Sequence, residues 1–84
     1  MLVDFKIDPK AQCALIKFNP QNISNDKDAK DLLSLMTIVC ADFYLDPELE
    51  QEQLEEIITK GKEENKQIEI LIDEEGIELE FISA

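Results

Sequence analysis

The sequence predicts an α+β fold in the order ββααββ, in which two terminal hairpins form a four-stranded antiparallel sheet with two central helices packed on one face. Residues 1–18 and 67–83 alternate apolar and polar side chains around central turn residues, which is typical of hairpins. Residues 32–45 are almost continuously apolar, and that run is too long for an ordinary strand. We therefore expect one domain over residues 1–84, with the strand order left open.

The first hairpin is predicted over residues 1–18. Asp8 and Pro9 suit the first two positions of a type I turn. A loop closed by Ile7 opposite Gln12 keeps the apolar side chains on one face, and a slip of one residue would scatter them. With Ile7 opposite Gln12 at the loop, Phe5 faces Ala14 and Val3 faces Ile16.

The first helix is predicted over about residues 26–45, with Ser24, Asn25 or Asp26 as its N-cap. Its apolar side chains lie nearly all round, whereas a surface helix needs an apolar stripe of only about 100°. We expect this helix to be covered on more than one side. A chain of 84 residues has little material for that, so either a second copy or partner covers the remainder, or the helix is a loosely covered core element.

The second helix is predicted over about residues 47–60. Asp46 suits the N-cap, Pro47 the first helical position, and Gly61 a left-handed C-cap. Leu54, Ile57 and Ile58 form a narrow apolar stripe. The opposite side is acidic and consists of Glu48, Glu52, Glu55 and Glu56.

The second hairpin is predicted over residues 67–83, with its turn at residues 73–76. Gly76 accepts the positive φ that a tight turn requires. Closure with Ile72 opposite Ile77 also sets Ile70 against Leu79 and Ile68 against Phe81, all on one face. The same register sets Glu69 directly opposite Glu80, and like charges in such a pair are destabilising.

The charge of the chain is extreme and uneven. The net charge is −12, with five Lys against six Asp and Glu in residues 1–45 and three Lys against fourteen in residues 46–84. A field of this sign repels nucleic acids and anionic membranes and attracts basic protein surfaces. The alternative is that the acids only keep a small domain soluble.

The sequence offers no constellation for catalysis or for a cofactor. It has no His, no Gly-rich phosphate loop, and two cysteines, Cys13 and Cys40, without CxxC spacing. The acidic residues of segment 26–31 lack the ligand pattern of an EF-hand. We therefore expect a protein that is not an enzyme and that binds neither metal nor cofactor. The N-terminus does not resemble a signal peptide and no run spans a membrane, so we expect a cytoplasmic protein.

The leading functional hypothesis is a small acidic intracellular module that binds a basic protein surface. Inhibitors that imitate the phosphate backbone, and immunity proteins that neutralise nucleases, act on nucleic-acid-binding proteins by this physics. The alternative is an obligate homodimer or assembly protein whose acidity serves solubility. The candidate acidic contacts are Glu48, Glu52, Glu55, Glu56, Glu69, Glu78 and Glu80. The candidate apolar anchors are Leu71 and Ile82, with Leu15 and Leu2 as further options.

Overall fold

The structure is a computed structural model that describes residues 3–83. Its elements, in order, are β1 (Val3–Asp8), β2 (Cys13–Phe18), a short 3-10 turn (Pro20–Asn22), α1 (Asp26–Asp42), α2 (Gln51–Glu64), β3 (Lys66–Asp73) and β4 (Gly76–Ser83). The four strands form one antiparallel sheet in the order β1-β2-β3-β4. The predicted ββααββ, α+β fold is confirmed, and the helical crossover joins the two central strands.

The two faces of the sheet differ because side chains alternate along each strand. The covered face carries the helices. Its side chains are Val3, Phe5, Ile7, Ala14, Ile16, Phe18, Ile68, Ile70, Ile72, Ile77, Leu79 and Phe81. On β2 and β3 these side chains are almost completely buried, and they form the core with the inner sides of the helices. The open face carries the alternate side chains, and neither of the helices in residues 3–83 packs against it.

The helical layer is anchored on the second hairpin. A Cβ added at Gly61 of α2 would lie 2.6 Å from Cγ of Pro20 and 3.3 Å from Cδ1 of Ile68, so the helix backbone approaches β3 closely there. One position earlier, Nζ of Lys60 lies 5.1 Å from the centroid of the Phe81 ring on β4, within cation–π range. The α1 helix packs beside α2 and also contacts β3.

The structure confirms the predicted register of one hairpin and corrects that of the other. In the second hairpin the predicted pairs are confirmed, including Ile72 with Ile77 and Glu69 with Glu80. The register predicted for the first hairpin is wrong by two residues, since Ile7 pairs with Ala14.

The shift follows from the first hairpin's loop, which consists of residues 9–12. The Asp8 carboxylate accepts hydrogen bonds from the N–H groups of Lys10 (3.0 Å) and Ala11 (3.2 Å), and Gln12 takes a left-handed φ of 53°. A shift of two residues keeps every side chain on its predicted face.

The α1 helix begins as expected and ends earlier than predicted. The side chain of Asn25 caps it by accepting a hydrogen bond from the N–H of Asp28 at 2.9 Å. At the other end, Tyr44 takes a left-handed φ of 57°, and the N–H of Leu45 donates to the carbonyl of Cys40 at 2.9 Å. This is a Schellman-type end, and it stops the helix at Asp42 even though the apolar pattern continues.

The predicted bounds of the second helix are wrong by four residues. Residues 46–48 precede the helix instead of opening it, and Glu50 and Gln53 form a capping box that starts α2 at Gln51. The left-handed cap is Asn65, with φ 53°, and not Gly61. Gly61 lies inside the helix, where its missing side chain permits the close approach to Pro20.

Coverage by the helices is uneven. The inner side chains of β1 are only partly covered, with Phe5 40% exposed and Ile7 55% exposed, because the helical layer sits over the other strands. On α1 the inner side chains are buried, whereas Ile38 on the outer side is 65% exposed in the single chain. That a second copy or a partner covers the rest of this helix stays a prediction.

Candidate functional site

The open face of the sheet brings together most of the predicted contact residues from β3 and β4. It is organised in rows because residues paired across neighbouring strands stand side by side. One row runs Lys6, Leu15, Leu71, Glu78, and the next runs Asp4, Lys17, Glu69, Glu80. The candidates Glu69, Leu71, Glu78 and Glu80 therefore lie within two adjacent rows.

Charge on the open face changes from one hairpin to the other. The β1–β2 half mixes the carboxylates of Asp4 and Asp8 with the ammonium groups of Lys6 and Lys17. The β3–β4 half carries four carboxylates and, among the described residues, no cation. These carboxylates belong to Glu69, Asp73, Glu78 and Glu80. The negative potential therefore concentrates over β3 and β4.

Glu69 has different neighbours on its two sides. It pairs with Glu80 on β4, which is unfavourable, and with Lys17 on β2, which is favourable. Cross-strand pairs of either kind contribute roughly 0.2–1 kcal/mol, so Lys17 offsets part of the repulsion. The sequence alone did not reveal this compensation, because it depends on β2 lying next to β3.

An apolar strip crosses the middle of the open face. Leu15 and Leu71 pair across the β2–β3 boundary, and both are half-buried. Ile82 is also half-buried and pairs with Gln67 near the end of the sheet, so it lies apart from the two leucines. Leu2 falls outside the described residues.

The acidic residues predicted on the second helix lie on the other side of the sheet. Glu52 and Glu56 are exposed on α2, and Glu55 is half-buried there and accepts a hydrogen bond from the Gln51 side chain at 3.3 Å. Glu48 lies in the segment before α2, not on it. The predicted acidic set is therefore divided between two surfaces, one on each side of the sheet.

A cleft that sequence reasoning missed lies between the segment before α2 and β4. It has a volume of about 510 Å³ and a mainly apolar lining from Met36, Leu45, Leu49, Ile57, Ile77 and Leu79. Asp46, Glu48 and Glu75 stand at the same cleft. The sequence signal for it was Leu49, an apolar residue off the apolar stripe of the helix predicted over residues 47–60, which the structure places before α2.

The two cysteines and the acidic side chains were the remaining groups with possible reactive or metal-binding chemistry. Cys13 and Cys40 are free and lie on opposite sides of the sheet, the first on the open face and the second buried under α1. Burial raises the pKa of the Cys40 thiol, which keeps it protonated and unreactive. Within residues 3–83, no group of His, Cys, Asp and Glu is arranged to hold a metal ion. Neither described helix has the length and apolar character needed to cross a membrane.

Comparison of the chain with protein-family models, with curated protein sequences and with solved structures finds no match.

Proposed function

We propose that the chain is a small acidic binding module that is not an enzyme and that docks a basic protein surface on the open face of its sheet. The observation that carries the proposal is the β3–β4 half of that face. Four carboxylates, from Glu69, Asp73, Glu78 and Glu80, project there with no cation among the described residues, beside the apolar pair Leu15 and Leu71. A basic surface that exposes an aliphatic side chain complements both features.

The energetics of the face favour a partner of opposite charge. The Glu69–Glu80 pair costs the isolated domain a fraction of a kcal/mol to about 1 kcal/mol, and a Lys or Arg placed between the two carboxylates removes that cost. Exposed charges mainly raise the association rate and fix orientation, while the buried apolar centre supplies affinity. We assign the anchoring role to Leu71, with Ile82 at the periphery.

The module class follows from this chemistry. A flat row of carboxylates resembles the charge of a phosphate backbone, so the proposed partners are basic, nucleic-acid-binding proteins, and the proposed effect is inhibition. Direct nucleic-acid binding is disfavoured by the net charge of −12. The free thiols agree with the reducing cytoplasm that we propose as its compartment.

The test uses two triple variants that change the net charge equally. One neutralises the open face (Glu69→Gln, Glu78→Gln, Glu80→Gln), and its matched control neutralises α2 (Glu52→Gln, Glu55→Gln, Glu56→Gln). The wild-type protein and both variants are immobilised and used to capture partners from a lysate of the native cell, followed by elution in a salt gradient. The captured partner is then purified for binding measurements.

We expect the open-face variant to bind the partner about tenfold or more weakly, mainly through slower association, and the α2 variant to bind as the wild type does. Binding of the wild type should fall as salt screens the surface charges. Equal losses in both variants would show that only the net charge matters. A partner that neither variant affects would contradict the proposed surface.

A second candidate function is a homodimer or assembly unit. A specific observation favours it: the exposed large apolar side chains in the described residues are Phe5, Ile7, Ile38 and Tyr44, and all belong to β1 or α1 and its end. None lies on the acidic β3–β4 half of the sheet. A dimer at this side leaves the acidic face free, so the two functions are compatible.

A further inference from the structure

We propose that two copies of the chain join through their β1 strands, antiparallel and centred on Phe5, into one continuous eight-stranded sheet. The inference rests on the second candidate function above and adds the surface, the register and the symmetry. It does not depend on the basic partner. Such a contact is isologous, with a two-fold axis that passes perpendicular to the sheet between the two Phe5 residues.

The β1 strand lies at the edge of the sheet and leaves one of its sides free. In the described residues β1 pairs only with β2, so its other edge presents unpaired backbone N–H and C=O groups over Val3–Asp8. Proteins usually shield such edges, because they are templates for another strand. Here the inner side chains Phe5 and Ile7 are also exposed, at 40% and 55%.

The exposed apolar residues extend the patch beyond the strand. Tyr44, which is 99% exposed, and Ile7 line the same depression with Phe43 and Asp42. Ile38 precedes Asp42 by about one helical turn and therefore lies on the same side of α1. A second copy at the β1 edge thus meets one apolar region formed by both layers.

The register follows from charge complementarity. With Phe5 opposite Phe5 of the second copy, Asp4 faces Lys6 twice, and Val3 faces Ile7 twice. Centring on Lys6 instead sets Lys6 against Lys6 and Asp4 against Asp8, and centring on Asp4 sets Asp4 against itself. Like charges directly opposite are destabilising. Registers shifted by one residue place apolar side chains opposite polar ones on the wrong face.

One other register also pairs opposite charges. Centring on Ile7 sets Lys6 against Asp8, but the next pair would involve Pro9 in the hairpin loop, outside β1. Only residues 6–8 would then pair. The register centred on Phe5 uses residues 3–7, almost the whole strand, so it is the one that we propose.

The distribution of charge permits a second copy to approach the β1 edge. Residues 3–18 carry Lys6, Lys10 and Lys17 against Asp4 and Asp8, a net charge of +1 in a chain of −12. Two copies that approach elsewhere bring acidic surfaces together, whereas the first hairpins meet with little repulsion. Because the long-range repulsion between two acidic molecules is screened by salt, dimerisation should be maintained or strengthened as salt rises. Binding of a basic partner should weaken.

The test exchanges charges in the proposed register. Asp4→Lys places the introduced lysine opposite Lys6, and Lys6→Asp places the introduced aspartate opposite Asp4, so each variant alone should be monomeric. A 1:1 mixture of the two variants restores opposite charges in both pairs. The double variant does the same without changing the net charge. Oligomeric mass is measured by sedimentation equilibrium across a dilution series, with circular dichroism to confirm folding.

The expected result is a wild-type dimer, single variants whose dissociation constant is raised on the order of a hundredfold, and recovery in both the mixture and the double variant. Glu52→Lys on α2 makes the same charge change as Asp4→Lys and should leave the dimer intact. If one single variant fails to fold, the other still decides the register, because each of them sets like charges opposite each other in both pairs.

The outcomes separate the two levels of the inference. A wild-type chain that is monomeric at every concentration contradicts both the dimer and the second candidate function. A dimer that the single variants do not weaken, or that the mixture and double variant do not restore, contradicts the β1 register and leaves a dimer through another surface.

Discussion

The two hairpins of this molecule share an alternating sequence pattern but differ in burial and charge. The inner side chains of β3 are completely buried, whereas those of β1 are largely exposed at Phe5 and Ile7. Residues 3–18 carry a net charge of +1, and residues 66–83 carry −5. The helices are anchored at Gly61 and Lys60 against the second hairpin, which leaves the first hairpin at the uncovered side.

This difference shows that alternation specifies the face of a strand but not its depth in the molecule. Depth is set by where the crossover helices attach. The two hairpins therefore present different surfaces. The covered second hairpin presents its charge on the open face, and the uncovered first hairpin presents an apolar edge.

The largest expected effect comes from the same substitution made in the two hairpins. Ile70→Ala on β3 removes a fully buried side chain and should lower the free energy of unfolding by about 2–5 kcal/mol. Ile7→Ala on β1 lies on the same face but is 55% exposed, so its loss should be less than about 1 kcal/mol. Urea unfolding is measured at a protein concentration low enough to dissociate any dimer. Equal losses would show that the helical layer also covers β1.

A smaller effect is expected at the point where the helices attach. Gly61→Ala gains about 1 kcal/mol of helix propensity. Its Cβ, however, would lie 2.6 Å from Cγ of Pro20, and overpacking costs about 1–3 kcal/mol. We expect a net loss of about 1–2 kcal/mol in thermal or urea unfolding.

The matched control for Gly61 is Thr59→Ala, an exposed position of the same helix, which should be neutral or slightly stabilising. The stability lost through Gly61→Ala should be smaller in a Pro20→Ala background, because the effects of substitutions at contacting residues are not additive. A Gly61→Ala protein more stable than the wild type would mean that α2 is not held against Pro20 and β3.

The smallest effect is expected when one carboxylate of each hairpin is neutralised, at two positions in the same row of the open face. Glu80→Gln removes the like charge opposite Glu69 and should stabilise by up to about 1 kcal/mol at low salt. Asp4→Asn removes the charge opposite Lys17 and should destabilise by a fraction of that. Both changes raise the net charge by one, so opposite signs would exclude a general charge effect. Both differences should fade at high salt, and two gains of equal size would refute the cross-strand explanation.

The sequence predicted the fold and the faces of the strands because side-chain alternation and apolar runs are local signals. It also predicted the second hairpin's register, since its turn residues allow only one closure that keeps Ile72 and Ile77 on one face. It failed at the start of α2, where Asp46 and Pro47 resemble a helix start but the Glu50–Gln53 capping box decides the boundary. Gly61 resembled a cap, although the reason for a glycine there is contact with Pro20, which no local pattern reports.

The candidate site was predictable only in part. The alternation of side chains along β3 and β4 predicted Glu69, Leu71, Glu78 and Glu80 on one face, and the structure agrees. The strand order was not predictable, so the pairing of Lys17 with Glu69 and of Leu15 with Leu71 could not be predicted. The position of β1 at the edge was not predictable for the same reason, because the order of strands in a sheet is set by long-range pairing.

The crossover of two helices between β2 and β3 also has a consequence for how the chain folds. Each hairpin closes through residues close in sequence, but the pairing of Phe18 with Ile68 waits until the whole intervening segment has collapsed. The long-range pairing of β2 with β3 should therefore limit the folding rate. Until that step the inner side of each half stays exposed, so this is when the nascent protein is most vulnerable to aggregation.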